Sequence, residues 1–143
     1  MDNTPIIKEV LINAPAKKVW QALTDKDQIK SWSFDIAEFK PEPGFEFRFY
    51  GGTEHKQYLH LCKITVADPE KKLAYTWAYE NIPVETLVTF ELFPEGENAT
   101  RVKLTHVGTE NFPAENPDLA KANFVAGWEH IIGTLLKEFV EQN

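Results

Sequence analysis

His60 and His106 are the residues best placed to do chemistry. They lie in YLHLC and KLTHV, two short alternating stretches that read as strands. An imidazole with an ordinary pKa of about 6.5 can serve as acid or base, or hydrogen-bond a ligand. His106 shares the parity of Val102 and Leu104, which points it inward; the competing reading is a core histidine bonded to a neighbour. Neither histidine has a second His, Cys or carboxylate at metal-ligand spacing, and a zinc site needs several such ligands held together. No metal is expected. His55, in GGTEHKQ, and His130, on the polar side of a C-terminal helix, read as exposed.

Other reactive constellations are missing from the sequence. There is no Ser-His-Asp set, no nucleophile elbow and no glycine-rich phosphate loop. Cys62 is the only cysteine, so no internal disulfide can form, and its strand-like setting predicts a buried structural thiol. Asp25 with Asp27 and Glu95 with Glu97 fall at turns and read as caps and solubilising groups. Glu46 and Arg48 read as a weak surface ion pair. No catalytic residue is assigned and no cofactor is expected.

Aromatic residues make up 13% of the chain, enough to line a pocket as well as fill a core. The candidate ligand-binding residues are Trp32, Phe47, Phe49, Tyr75, Trp77, Phe124 and Trp128, with His60 and His106 as polar anchors. Ligand sites are mostly apolar with a few placed polar groups. For each ring, ordinary core packing is the alternative.

The elements that must position these residues follow from periodicity. PIIKEVLI reads as a first strand. In NAPAKKVWQALTD, Pro15 suits the first position of a helix whose Ala16, Val19, Trp20 and Leu23 share one face. Asp25 and Gln28 resemble a capping box opening a second short helix. The middle is β throughout. Phe45, Phe47 and Phe49 alternate with Glu46, Arg48 and Tyr50, QYLHLCKITVAD is a longer strand, and KKLAYTWAYE alternates large and small residues. ETLVTFELFPEGENATRVKLTHV is a hairpin around PEGENAT. Asn116 and Pro117 read as a cap and first helical position, with the regular helix starting near Lys121. Phe124, Val125, Trp128, Ile131, Ile132, Leu135, Leu136 and Phe139 then form one apolar stripe. Gly127 and Gly133 fall at its margins, although Gly costs about 1 kcal/mol against Ala in a helix. They suggest either close approach of another segment or space left beside the helix.

The expected fold is α+β: a curved antiparallel sheet of six to seven strands wrapped around a long C-terminal helix, with two short helices after the first strand. The 143 residues suit one domain, spanning 1–143. The net charge of −7, with no Lys/Arg cluster, argues against nucleic-acid binding. No signal peptide and no apolar run of about 20 residues is present, so neither secretion nor a membrane span is expected and a cytoplasmic location is.

NAPAKKVWQALTD, the following WSF, PEPGFEFRF, KKLAYTW, VTFELFPEGENATRVKLTH and the late AGW…LL together resemble the START-like helix-grip (SRPBCC) superfamily. The branch is similar to stand-alone proteins related to the C-terminal domain of the Hsp90 ATPase activator. The resemblance runs in order along nearly the whole chain. It implies a sheet gripping the C-terminal helix, an apolar pocket between them, and roles from binding lipids or small hydrophobic molecules to polyketide cyclisation and chaperone regulation. The activator has a further N-terminal domain that shares in Hsp90 contact. This chain opens on its first strand, so less than the full activator role is expected. VGTENFPAENPD departs from the pattern, at the expected pocket mouth.

Three functions follow as expectations. The first is a binding module for a small hydrophobic molecule or lipid. The others are a cyclase- or hydrolase-type enzyme using the same pocket, with His106 as its best polar group, and a chaperone partner of the Hsp90 type. An exposed edge strand offers a homodimer contact.

Overall fold

The computed structural model describes residues 4–52 and 57–142, and His55 lies outside them. Strand β1 (Ile6–Ile12) leads into helices α1 (Ala16–Thr24) and α2 (Lys26–Trp32). Five strands follow: β2 (Glu46–Gly52), β3 (Gln57–Asp68), β4 (Lys72–Tyr79), β5 (Ile82–Pro94) and β6 (Thr100–Val107). The chain ends in α3 (Lys121–His130), a π-helical segment (Ile131–Leu136) and α4 (Lys137–Gln142). The sheet has six strands in the order β1-β6-β5-β4-β3-β2, each pair antiparallel. This is the expected helix-grip architecture, with the strand count settled at six.

Short polar turns pair each central strand with its sequence neighbour, while β1 closes the far edge against β6. Register shifts between Ile64 and Val66, and between Ala78 and Tyr79, interrupt the ladders. Such bulges bend strands and increase their twist, which curls the sheet. The concave face carries Phe47, Phe49, Ile64, Leu73, Trp77, Val88, Phe90, Val102 and Leu104, all buried. Glu46, Arg48 and Tyr50 face outward. Glu46 and Arg48 form no ion pair: two residues apart on one strand face, their backbones stand about 7 Å apart.

Helix starts differ in detail from expectation. Pro15 is the N-cap of α1 rather than its first residue: its ψ of 155° is extended, and its carbonyl accepts from Lys18 and Val19. Only half of the capping box forms. The Asp25 carboxylate accepts from the amides of Asp27 (2.9 Å) and Gln28 (3.4 Å), while its own amide donates to Gln21 O and closes α1. Asn116 caps a single 3-10 turn, Pro117–Leu119, and α3 begins at Lys121.

The last helix is not one regular α-helix. Its fully covered residues are Phe124, Trp128, Ile132, Leu136 and Val140, every fourth position; Val125, Ile131, Leu135 and Phe139 are half-buried. Four residues of α-helix turn about 400°, so a fourth-residue stripe drifts about 40° per step. The wider π turn takes up that drift and keeps the stripe on the sheet. The lower end of this helix is tied down. Glu141 Oε2 accepts from Asn13 N at 2.8 Å, and Lys137 Nζ donates to Leu11 O at 2.9 Å. Thr100, wholly buried beside it, donates to Ala14 O at 2.8 Å.

Candidate functional site: an aromatic cavity under the C-terminal helix

The predicted aromatic residues fall into two groups. Trp32, Phe47, Phe49, Tyr75 and Trp128 surround a void of only about 30 Å³, next to α2 and Ile131. That is room for one water or so, not for an organic ligand. These rings pack the core: Phe47 meets Tyr75 edge-on at 5.1 Å, and Trp32 donates its indole N–H to Ala22 O at 2.8 Å.

His60, Trp77 and Phe124 line a second, larger cavity of about 550 Å³. It opens between the ends of β2–β4 and the first half of α3. Small-molecule sites span roughly 300–1,000 Å³. Trp77 and Tyr79 form the sheet wall, with Phe34 at one side. The helix wall is Phe124, Gly127 and Ile131, and Leu119 from the 3-10 turn closes one end. A Cβ built at Gly127 meets nothing within 4 Å. Of the two readings of the helical glycines, space rather than close approach holds at Gly127. Gly133 is likewise uncrowded but lines no part of this cavity.

Tyr58, Tyr79, Asp118, Asn123 and His130 also line the cavity and were not predicted from sequence. Tyr79 follows Trp77 by two residues on the same strand face, so strand parity marks it. Asp118 comes from the 3-10 turn before α3, which periodicity does not place, while Asn123 and His130 lie on α3 outside its apolar stripe. Tyr58 donates to Asp118 Oδ2 at 2.8 Å and receives the Asn116 amide at 3.4 Å, joining β3 to that segment at the mouth.

His60 and His106 are both buried, and burial lowers the pKa of each to about 4. Their settings differ. His106 lines neither cavity. Its Nδ1 accepts from Trp128 Nε1 at 3.0 Å, and an indole only donates, so the proton sits on Nε2. Nε2 then donates to Thr86 Oγ1 at 2.8 Å, and Thr86 donates to Trp77 O at 2.8 Å. Both nitrogens are used, so His106 is a strut between helix and sheet rather than a polar anchor for a ligand. His60 stacks on Phe49 at 4.5 Å and pairs across the strands with Tyr79. Its Nδ1 lies 2.9 Å from Tyr58 O. The Tyr58 and Phe49 carbonyls partly oppose the effect of burial on its pKa. A carbonyl only accepts, so Nδ1 carries the proton and Nε2 keeps a lone pair. Gly51 lets the ring sit close: a Cβ there would lie 3.0 Å from His60 Cε1.

Cys62 is buried and desolvation raises its thiol pKa, which suits the expected inert thiol. No cluster of three His, Cys, Asp or Glu side chains able to hold a metal occurs among the described residues.

The family model described as Activator of Hsp90 ATPase homolog 1-like protein matches residues 13–141. The chain belongs to this family. Solved structures with the same fold include protein CV1439 from Chromobacterium violaceum, at 19% identity and TM-score 0.80 with all of both chains covered. The Aha1 dimer from Colwellia psychrerythraea is 25% identical with TM-score 0.73, covering 96% of each chain. DynU16, from the dynemicin biosynthetic locus, is 21% identical with TM-score 0.78. The match covers 99% of this chain and 48% of that one, so the present chain spans about half of DynU16. No curated protein matches. This Activator of Hsp90 ATPase homolog 1-like chain has no described helix long and apolar enough to cross a membrane.

Proposed function

We propose that this protein binds a small hydrophobic molecule or lipid in the cavity between α3 and the ends of β2–β4. The observation that carries the reading is the 550 Å³ space walled by Trp77, Tyr79, Phe124 and Ile131, with an unfilled position at Gly127. A glycine that forgoes helix stability beside open space is consistent with a site kept clear for an occupant. Among the described residues the polar lining contains no nucleophile–base pair, and His106 is fully engaged in the core, which supports a reading of binding without catalysis.

Titration with the uncharged fluorophore 1-aminoanthracene tests it. Saturable binding that natural apolar compounds displace, and that Gly127→Leu abolishes without unfolding the protein, is expected. Equal binding by the wild type and Gly127→Leu would place the fluorophore elsewhere and remove the proposal.

Family membership and the Aha1 dimer neighbour favour a second reading, a chaperone partner acting as a homodimer. That reading requires binding to Hsp90 or a change in its ATPase rate, together with a dimer mass in solution.

A further inference from the structure

The polar groups of the cavity wall restrict what can enter it. Trp77 Nε1 donates to the Tyr79 hydroxyl oxygen at 2.9 Å. The indole has no acceptor to offer in return, so the Tyr79 O–H proton is free for another partner, and no side chain or carbonyl among the described residues takes it. Across the strands, His60 presents the Nε2 lone pair left by its bond to Tyr58 O. The two rings stand 4.7 Å apart, both more than nine-tenths buried, both in the lining. A donor and an acceptor therefore stand on neighbouring strands of the cavity's sheet wall. A hydroxyl answers both, accepting from Tyr79 and donating to His60.

The charges point the same way. The described lining contains no Lys or Arg; its one formal charge is Asp118, and the chain carries a net charge of −7. A carboxylate, phosphate or sulfate would be desolvated there with no Lys or Arg of the described lining to meet it, at substantial cost. Phe34, Trp77, Tyr79 and Phe124 offer ring faces and edges, which favour an aromatic body.

We propose that the ligand is an uncharged aromatic molecule bearing a hydroxyl, held by the Tyr79 hydroxyl and the His60 imidazole. This rests on reading the cavity as a ligand site. Calorimetric titration with 2-naphthol, its methyl ether 2-methoxynaphthalene, and 2-naphthoate tests both levels. The ether cannot donate to His60, so it should bind about tenfold more weakly than 2-naphthol, and the charged 2-naphthoate more weakly still. Tyr79→Phe and His60→Leu should each lower 2-naphthol affinity by about tenfold while changing the affinity of the ether by far less. Should either variant fail to fold, the three-ligand series on the unaltered protein still decides. Equal affinity for 2-naphthol and its ether, or tighter binding of 2-naphthoate, overturns the hydroxyl assignment and leaves the cavity reading standing. If 1-aminoanthracene binds but 2-naphthol does not, the assignment also falls alone; if neither binds, the cavity reading falls with it.

Discussion

The two ends of the C-terminal helix meet the same sheet differently. Along its second half, Ile132, Leu136 and Val140 are at most 1% exposed, and bonds from Asn13 and to Leu11 O tie the helix to β1. Along its first half, Phe124 and Gly127 line a cavity between helix and sheet, while Trp128 beside them packs on Trp77. Two histidines beside the first half differ in a similar way. His106 spans helix and sheet through two bonded nitrogens, while His60 has one nitrogen bonded to its own strand and stands in the cavity wall. One part of the interface is built for stability and the other leaves stability unused, which is the usual mark of a site.

If that division is right, core deletions and cavity changes should separate cleanly. Leu136→Ala should cost about 3 kcal/mol in urea unfolding, as buried leucine deletions do, and leave 1-aminoanthracene affinity within about twofold. A loss of binding comparable to the loss of stability would erase the distinction between the two ends.

Acid should weaken the fold through its two buried histidines, His60 and His106. Each has a folded pKa of about 4, below its unfolded value of about 6.5. The unfolded chain therefore binds more protons in that window, and stability falls as pH drops from about 6.5 toward 4, by up to about 1.4 kcal/mol per pH unit per histidine. It is fully present above pH 6.5. Unfolding measured across this range should show the slope, and His60→Leu should remove about half of the histidine part. A flat profile would contradict the burial of both rings.

At Gly127 the effects are smaller and opposite in sign. Gly127→Ala should raise stability by about 1 kcal/mol, since its Cβ meets only open space and helix propensity improves. Destabilisation there would mean that something fills the gap. Smallest of all, Arg101→Ala should change stability by less than about 1 kcal/mol, because its contacts with Glu9 and Glu95 are half-exposed.

Strand parity and helical periodicity made most of the fold legible. The sheet, the two short helices, the late start at Lys121 and the inert Cys62 all follow from local pattern. The kinship read from the ordered segments is borne out by the family match. The π segment was not legible, because a stripe of fourth residues over this length also fits a broad α-helical face. The cavity was legible only in part. Sequence identifies inward-facing rings, but whether two of them touch or enclose space depends on how far the sheet curls from the helix. Hence Trp32, Phe47, Phe49, Tyr75 and Trp128 went to the packed group, while Trp77, Phe124 and His60 stayed with the cavity. The rim residue Asp118 belongs to a 3-10 turn that no period describes, and Asn123 lies on α3 outside the apolar stripe.

The most direct test of the central claim is a backbone-amide NMR titration with 1-aminoanthracene. If the open end is the binding site, shifts concentrate at Gly51, His60, Tyr79, Phe124 and Gly127 and leave Leu136 and Val140 unmoved. Shifts confined to the outer sheet face around Arg48 and Lys63, or no shifts at all, would contradict it.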